Sequence, residues 1–206
     1  RCAGLPARVT CQPPWEWGPT SAGSCSPKSP RYIAPERAAA LDSALIRRVG
    51  VFVNQDAEQI MDIMKTARLE FAQLHGNQSL DCARRIGAGK VIRVLWPDSY
   101  DSLDAMQREM DLWADSCSWF LLDAGRQGGG HGTALDWKAL ASLQAPRPWF
   151  LAGGLSSASL NRALEQCTPN GIDLNSGVEA IPGQKSPQKL LAALKPLISY
   201  TPYHIA

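Results

Sequence analysis

The stretch Arg48-Val49-Gly50-Val51-Phe52-Val53, followed by Asn54-Gln55-Asp56 and then by Ile60, Ile63, Met64 and Ala67, decides the fold. The first six residues are apolar and β-branched with almost no polar alternation, as in a strand buried on both faces. Asn54 to Asp56 offer capping side chains, and the apolar residues beyond them recur at helical spacing. A strand and an amphipathic helix thus follow each other directly, which is one β/α unit.

The same unit recurs along the chain. Apolar runs begin at Arg48, Phe71, Lys90, Ser118, Pro148 and Gly171, at intervals of 19 to 30 residues, with helix-patterned segments between them. Predicted strands cover Phe71 to Leu74, Val91 to Trp96, Trp119 to Asp123, Trp149 to Ala152 and Ile172 to Leu174. Predicted helices cover Ser79 to Ile86, Asp101 to Asp115, a segment from Asp136, Ser156 to Glu165 and Ser186 to Ile198. This rhythm predicts an α/β chain of one domain, a (β/α)8 TIM barrel, with function at the C-terminal ends of the strands.

Six units are legible where eight are needed. Residues 1–26 contain no segment that reads as a strand; Pro13-Pro14-Trp15-Glu16-Trp17-Gly18-Pro19 and the Ser/Gly/Cys run after it read as loop, atypical and poorly ordered. The first two strands are expected to be corrupted.

A length of 206 residues with 45% hydrophobic content suits one core. The net charge of +2 argues against a nucleic-acid partner. No apolar run approaches the roughly 18 to 20 residues that span a bilayer, so no membrane partner is expected. The start, Arg1-Cys2-Ala3-Gly4, reads as that of a 5′-truncated cytoplasmic chain. Cys82, Cys117 and Cys167 fall singly in ordinary segments, and no CxxC pair occurs, so the six cysteines read as reduced thiols.

Several segments in order over residues 27–206 resemble phosphoribosylanthranilate isomerase, the tryptophan-pathway barrel. They are Pro27-Lys28-Ser29-Pro30-Arg31, Arg48 to Asn54, Gln73-Leu74-His75-Gly76, Leu121-Leu122-Asp123, Gly128 to Gly132 with Asp136-Trp137, Gly153-Gly154-Leu155, and Asn175-Ser176-Gly177-Val178-Glu179 with Pro182-Gly183. Leu135 and Asn175 depart conservatively from the family pattern. At the front, Cys2 keeps the family's spacing to Pro27 but has the wrong neighbours. Trp15-Glu16-Trp17-Gly18, read one base earlier, gives Gly, Val or Met, and Gly, after which Pro19-Thr20 permits Ala-Asp. The family's G-A-D then emerges, so residues 1–26 are expected to be an out-of-frame translation of its first two strands.

The resemblance implies an Amadori rearrangement of N-(5-phosphoribosyl)anthranilate, with two groups doing general acid–base work and no cofactor or metal. Asp123 is the expected acid: it follows four apolar residues, and a low-dielectric wall would keep it protonated. Cys2 matches the family's base, although a working thiolate needs a fixed electropositive setting. Gly153, Gly154, Ser176 and Gly177 end what would be the seventh and eighth strands, where barrels of this kind bind phosphate through backbone N–H groups. Arg31 suits a substrate carboxylate, and His75 either lines the pocket or is structural. Gly128 to Gly132, which no Gly-Lys-Ser/Thr follows, reads as a mobile lid, and His131 as exposed.

The expected partner is a phosphorylated sugar–anthranilate small molecule, handled by a monomer or homodimer. Indole-glycerol-phosphate synthase is a rival reading, but Lys90 begins its strand where that chemistry needs a lysine at a strand end. A non-catalytic barrel remnant that keeps the phosphate cradle is the other.

Overall fold

The computed structural model of the protein describes residues 7–8, 20–24, 29, 31–40, 47–123 and 137–198, with the backbone alone described for 7–8 and 20–24. The chain runs β1 (Ala7–Arg8), β2 (Thr20–Ser24), α1 (Pro35–Ala39), β3 (Arg47–Phe52), α2 (Ala57–Ala67), β4 (Phe71–Leu74) and α3 (Leu80–Ile86). It continues with β5 (Val91–Leu95), α4 (Leu103–Trp113), β6 (Trp119–Asp123), α5 (Trp137–Leu140), β7 (Trp149–Ala152), α6 (Ser157–Gln166) and β8 (Gly171–Ile172). A 3-10 turn (Ser176–Val178), the short antiparallel pair β9 (Glu179–Ile181) and β10 (Gln184–Lys185), and α7 (Pro187–Ile198) close it.

Strands β1 to β8 form one sheet in chain order, and every pairing from β2 to β8 is parallel. Parallel neighbours in sequence order, each joined through a helix, are the (β/α) barrel architecture. The six strands legible in the sequence are β3 to β8. The last is shorter than expected because Asp173 and Leu174 leave the strand, although the Asp173 N–H still donates to the Leu151 carbonyl at 2.8 Å.

One expectation is corrected. Residues 1–26 do contain a strand, since Thr20–Ser24 pairs in parallel with β3 from Thr20↔Arg47 to Ser24↔Val51. Its small residue types carry no strand signal, and its backbone completes the ladder that β3 offers at its edge. The two-residue β1 lies antiparallel to β2, so among the described residues no parallel strand stands in the first position of a regular barrel.

Side chains sort by strand alternation into two layers. Val49, Phe71, Ile92, Val94, Trp119, Leu121, Phe150 and Ala152 pack together inside the sheet, joined by Val51 and Trp96. Within that group the Trp119 and Phe150 rings stack, with centroids 4.4 Å apart. The alternate residues, among them Phe52, Leu74, Leu95, Phe120, Leu122 and Leu151, pack outward against the helices. The helices start where sequence capping places them. Asp56 and Gln59 form a reciprocal box at α2, Ser79 accepts the Cys82 N–H at 3.2 Å, and the Ser156 N–H donates to Ser159 Oγ at 3.0 Å.

Candidate active site

The alternation fixes where Asp123 points. Trp119 and Leu121 of β6 belong to the inner layer, and Asp123 is the next residue of that register. Its backbone pairs with Ala152, another inner-layer residue, and its side chain is half-buried. The carboxyl therefore stands on the interior face at the C-terminal end of the sheet, above a floor of aromatic and aliphatic side chains.

His75 stands one residue past β4 on the same inner register as Phe71 and Gln73. The Gln73 amide nitrogen and His75 Nδ1 lie 3.4 Å apart, and the His75 ring meets the edge of Trp96 at 5.1 Å between centroids. The His75 N–H donates to the Phe52 carbonyl at 2.8 Å. The next residue must be glycine, because a Cβ on Gly76 would lie 1.8 Å from the Val53 carbonyl oxygen. Arg93, on the outer face of β5, donates to the Gly76 carbonyl at 2.9 Å and stacks over Trp113 at 4.3 Å. His75 thus sits on a braced turn, whichever role it plays. Below it Gln73 is 2% exposed, and its Oε1 has no hydrogen-bond partner among the described residues.

The two glycine turns adjoin. Gly153 and Gly154 follow β7 with φ of 92° and 63°, values that side-chain-bearing residues rarely adopt. Gly177, in the 3-10 turn after β8, comes so close to the first turn that a Cβ there would lie 2.0 Å from the Leu155 carbonyl oxygen. Ser176 opens that 3-10 turn, and α6 begins at Ser157 beside it, so backbone amides start two helical segments within one small region.

Arg31 forms a bidentate ion pair, with the protein's own Glu179. Nε donates to Oε1 at 2.9 Å and Nη2 to Oε2 at 2.6 Å. Although burial pushes the Glu179 carboxyl up, the hydrogen bonds from Arg31 and the charges of Lys185 and Arg31 hold it down at about 2. Lys185, lowered by burial against the opposing pull of Glu179, donates to Glu179 Oε1 at 3.3 Å and to the Asn175 carbonyl at 2.8 Å. Sequence reasoning quoted Glu179 in a motif without giving it a task and missed Lys185; the available signal was a lone acid set between Val178 and Ala180.

Cys2, the expected lid Gly128 to Gly132 and His131 lie outside the described residues. Cys82, Cys117 and Cys167 are buried free thiols, and burial pushes the last two up to about 12, where they are inert. Lys90 ends a 3-10 turn before β5, at the end of the sheet opposite Asp123. Among the described residues no cluster of His, Cys, Asp and Glu could hold a metal ion, and no helix is long and apolar enough to cross a membrane.

Fold and site together define a class: a (β/α) barrel with an acid ending β6 on the inner register and two abutting glycine turns after β7 and β8. A family model for N-(5′-phosphoribosyl)anthranilate isomerase matches residues 18–195. A relative from Desulfovibrio desulfuricans, named N-(5′-phosphoribosyl)anthranilate isomerase, is 55% identical over 168 residues, covering 82% of this chain and 80% of its own length. The crystal structure of phosphoribosyl anthranilate isomerase from Thermotoga maritima superposes with a TM-score of 0.77 at 29% identity, covering 88% of each chain. A structure of such an enzyme in complex with reduced 1-(o-carboxyphenylamino)-1-deoxyribulose 5-phosphate superposes at 0.73 with 28% identity and covers 88% of each chain. The chain belongs to the N-(5′-phosphoribosyl)anthranilate isomerase family and is an isomerase of tryptophan biosynthesis.

Proposed function

We propose that this chain turns N-(5-phosphoribosyl)anthranilate into 1-(2-carboxyphenylamino)-1-deoxyribulose 5-phosphate with Asp123 as the general acid. The position of Asp123 carries the reading: it ends a strand on the interior register and pairs with the residue that leads into the Gly153-Gly154 turn. Its proton goes to the furanose oxygen as the C1–O bond breaks, while the nitrogen lone pair forms a C1=N iminium. A base then takes the C2 proton, and that C–H electron pair becomes the C1=C2 bond of an enaminol. Protonation at C1 and loss of the C2 hydroxyl proton give the ketone. Cys2 is the proposed base, and the resemblance supports it.

The glycine turns are the proposed phosphate site, through the backbone N–H groups near Gly153, Gly154, Ser176 and Gly177. Arg31 reads the anthranilate carboxylate. One guanidinium edge is occupied by Glu179, and the edge formed by Nη1 and the second Nη2 proton has no partner among the described residues. His75 lines the pocket beside Trp96. The chain works in the cytoplasm as a monomer or homodimer, which light scattering would resolve.

Following the decay of substrate fluorescence tests the assignment. Asp123→Asn keeps the shape, removes the proton donor and should lower kcat by about 10²–10⁴-fold. An Asp123→Asn protein as active as the parent overturns the acid. Cys2→Ala tests the base in the same assay. Sequencing the coding DNA tests the frame-shift: an uninterrupted frame that excludes the alternative codons of residues 1–26 removes it.

A further inference from the structure

In the proposed function, Arg31 and the turn after β8 hold opposite ends of one substrate, and a single buried side chain bonds the first and is linked through Lys185 to the second. Glu179 opens β9, and its side chain is 4% exposed. Besides the two bonds from Arg31, its Oε1 accepts the Gly183 N–H at 3.2 Å and Lys185 Nζ at 3.3 Å. Lys185 goes on to the backbone carbonyl of Asn175 at 2.8 Å and to its side-chain Oδ1 at 2.9 Å. Asn175 directly precedes Ser176-Gly177. The Glu179 carbonyl is itself held by Lys189 Nζ of α7 at 2.7 Å. Arg31, Glu179, Lys185 and Asn175 therefore form one continuous tether, anchored on a helix.

The shape of the contact matters more than its charge. An arginine held by two parallel N–H···O bonds along its Nε–Nη2 edge has its guanidinium plane fixed, and the adjacent Nη1–Nη2 edge then faces a second planar anion in a set orientation. Arg31 keeps a quarter of its side chain exposed, and no described residue occupies that second edge. We propose that Glu179 is a positioning residue for substrate recognition: it presets the free edge of Arg31 for the aromatic carboxylate and, through Lys185 and Asn175, fixes that edge relative to the phosphate turn. This rests on the proposed tasks of Arg31 and the glycine turns.

Electrostatics alone makes the opposite forecast, which gives the test its edge. Removing a negative charge beside two cations should strengthen the hold on any anion. Positioning demands that the hold on the carboxylate weaken. The probes are reduced 1-(o-carboxyphenylamino)-1-deoxyribulose 5-phosphate and its anilino counterpart lacking the carboxylate, titrated calorimetrically into the full chain and its variants.

The parent should prefer the carboxylate-bearing probe, and Glu179→Gln should cut that preference about tenfold, within the range of ordinary site-to-site coupling. In steady state KM should rise while kcat changes less. Glu179→Asp keeps the charge but withdraws the carboxylate by one methylene, so it should lose preference too; it serves where Glu179→Gln does not fold. Equal weakening of both probes would mean a structural role only, and unchanged or tighter carboxylate binding would mean charge only. Either outcome overturns the proposal. Arg31→Ala separates the two levels. If it keeps the parent's preference, the task given to Arg31 falls; if it loses the preference while the Glu179 variants keep it, only the positioning falls.

Discussion

Strands β2 and β6 are both parallel members of one sheet and both span five residues, yet their sequences differ sharply in apolar content. Trp119, Phe120, Leu121 and Leu122 of β6 are all buried, alternately in the inner layer and against the helices. Burying a large apolar side chain contributes about 1.5–3 kcal/mol. Strand β2 reads Thr-Ser-Ala-Gly-Ser, small residue types with little apolar surface, and its backbone forms a ladder of hydrogen bonds with β3. Such bonds replace bonds to water and contribute only about 0.5–1.5 kcal/mol each. Side-chain burial makes a strand stable and visible in sequence; backbone pairing alone can complete a sheet without announcing itself.

Cutting into β6 should therefore be the costlier change. Phe120 is fully buried between the sheet and the helices, and Phe120→Ala should destabilise the protein by about 3–5 kcal/mol in urea titration. Hydrogen exchange supplies the other half of the contrast. Amides of Trp119 to Leu122 should exchange only through global unfolding, whereas those of Thr20 to Ser24 should exchange at least about tenfold faster through local opening. Equal protection in the two strands would mean that β2 is held by more than its ladder.

The same contrast explains what was legible in the sequence. Six strands and their helices could be read because apolar runs alternate with helical spacing, as in Val49 to Phe52 followed by the helix that the Asp56–Gln59 box opens. Asp123 was legible as a strand-ending acid, but its interior register was not, because all four residues before it are apolar and only the packing of Leu121 in the inner layer fixes the phase. The β9–β10 pair was not legible: Glu179–Ile181 is three residues long, Gln184–Lys185 two, and Ile181 is exposed, so neither apolar nor alternating pattern marks them. The Arg31–Glu179 pair joins residues 148 apart, a distance no local pattern encodes.

That pair gives the comparison a pH axis. Phe120 sits in an apolar layer, while the tether after β8 depends on an ionised Glu179. Its carboxyl falls from the ordinary 4.5 to about 2 in the folded protein. A group depressed on folding stabilises fully above its unfolded value, and the contribution disappears as pH falls toward the folded one. The stability advantage of the parent over Glu179→Gln should shrink between about pH 5 and pH 2, by an amount on the order of 1–3 kcal/mol. Phe120→Ala measured over the same range should show no such trend, and a parallel decline in both variants would remove the tether as its cause.

The smallest effects separate two reasons for being glycine within the proposed phosphate turns. At Gly177 the reason is contact: a Cβ would lie 2.0 Å from the Leu155 carbonyl oxygen and 2.8 Å from its carbon, both backbone atoms that cannot swing aside. Gly177→Ala must push the two turns apart at a cost of about 1–3 kcal/mol, and inorganic phosphate should bind about tenfold more weakly. At Gly154 the reason is conformation alone, since φ is 63° and a Cβ would meet nothing within 4 Å. Gly154→Ala should cost about 1 kcal/mol of stability and leave phosphate affinity within about threefold. Calorimetric titration of both variants with inorganic phosphate checks the order. If Gly154→Ala proves the more damaging to binding, the open space above that residue, rather than the abutment of the turns, is what the phosphate requires.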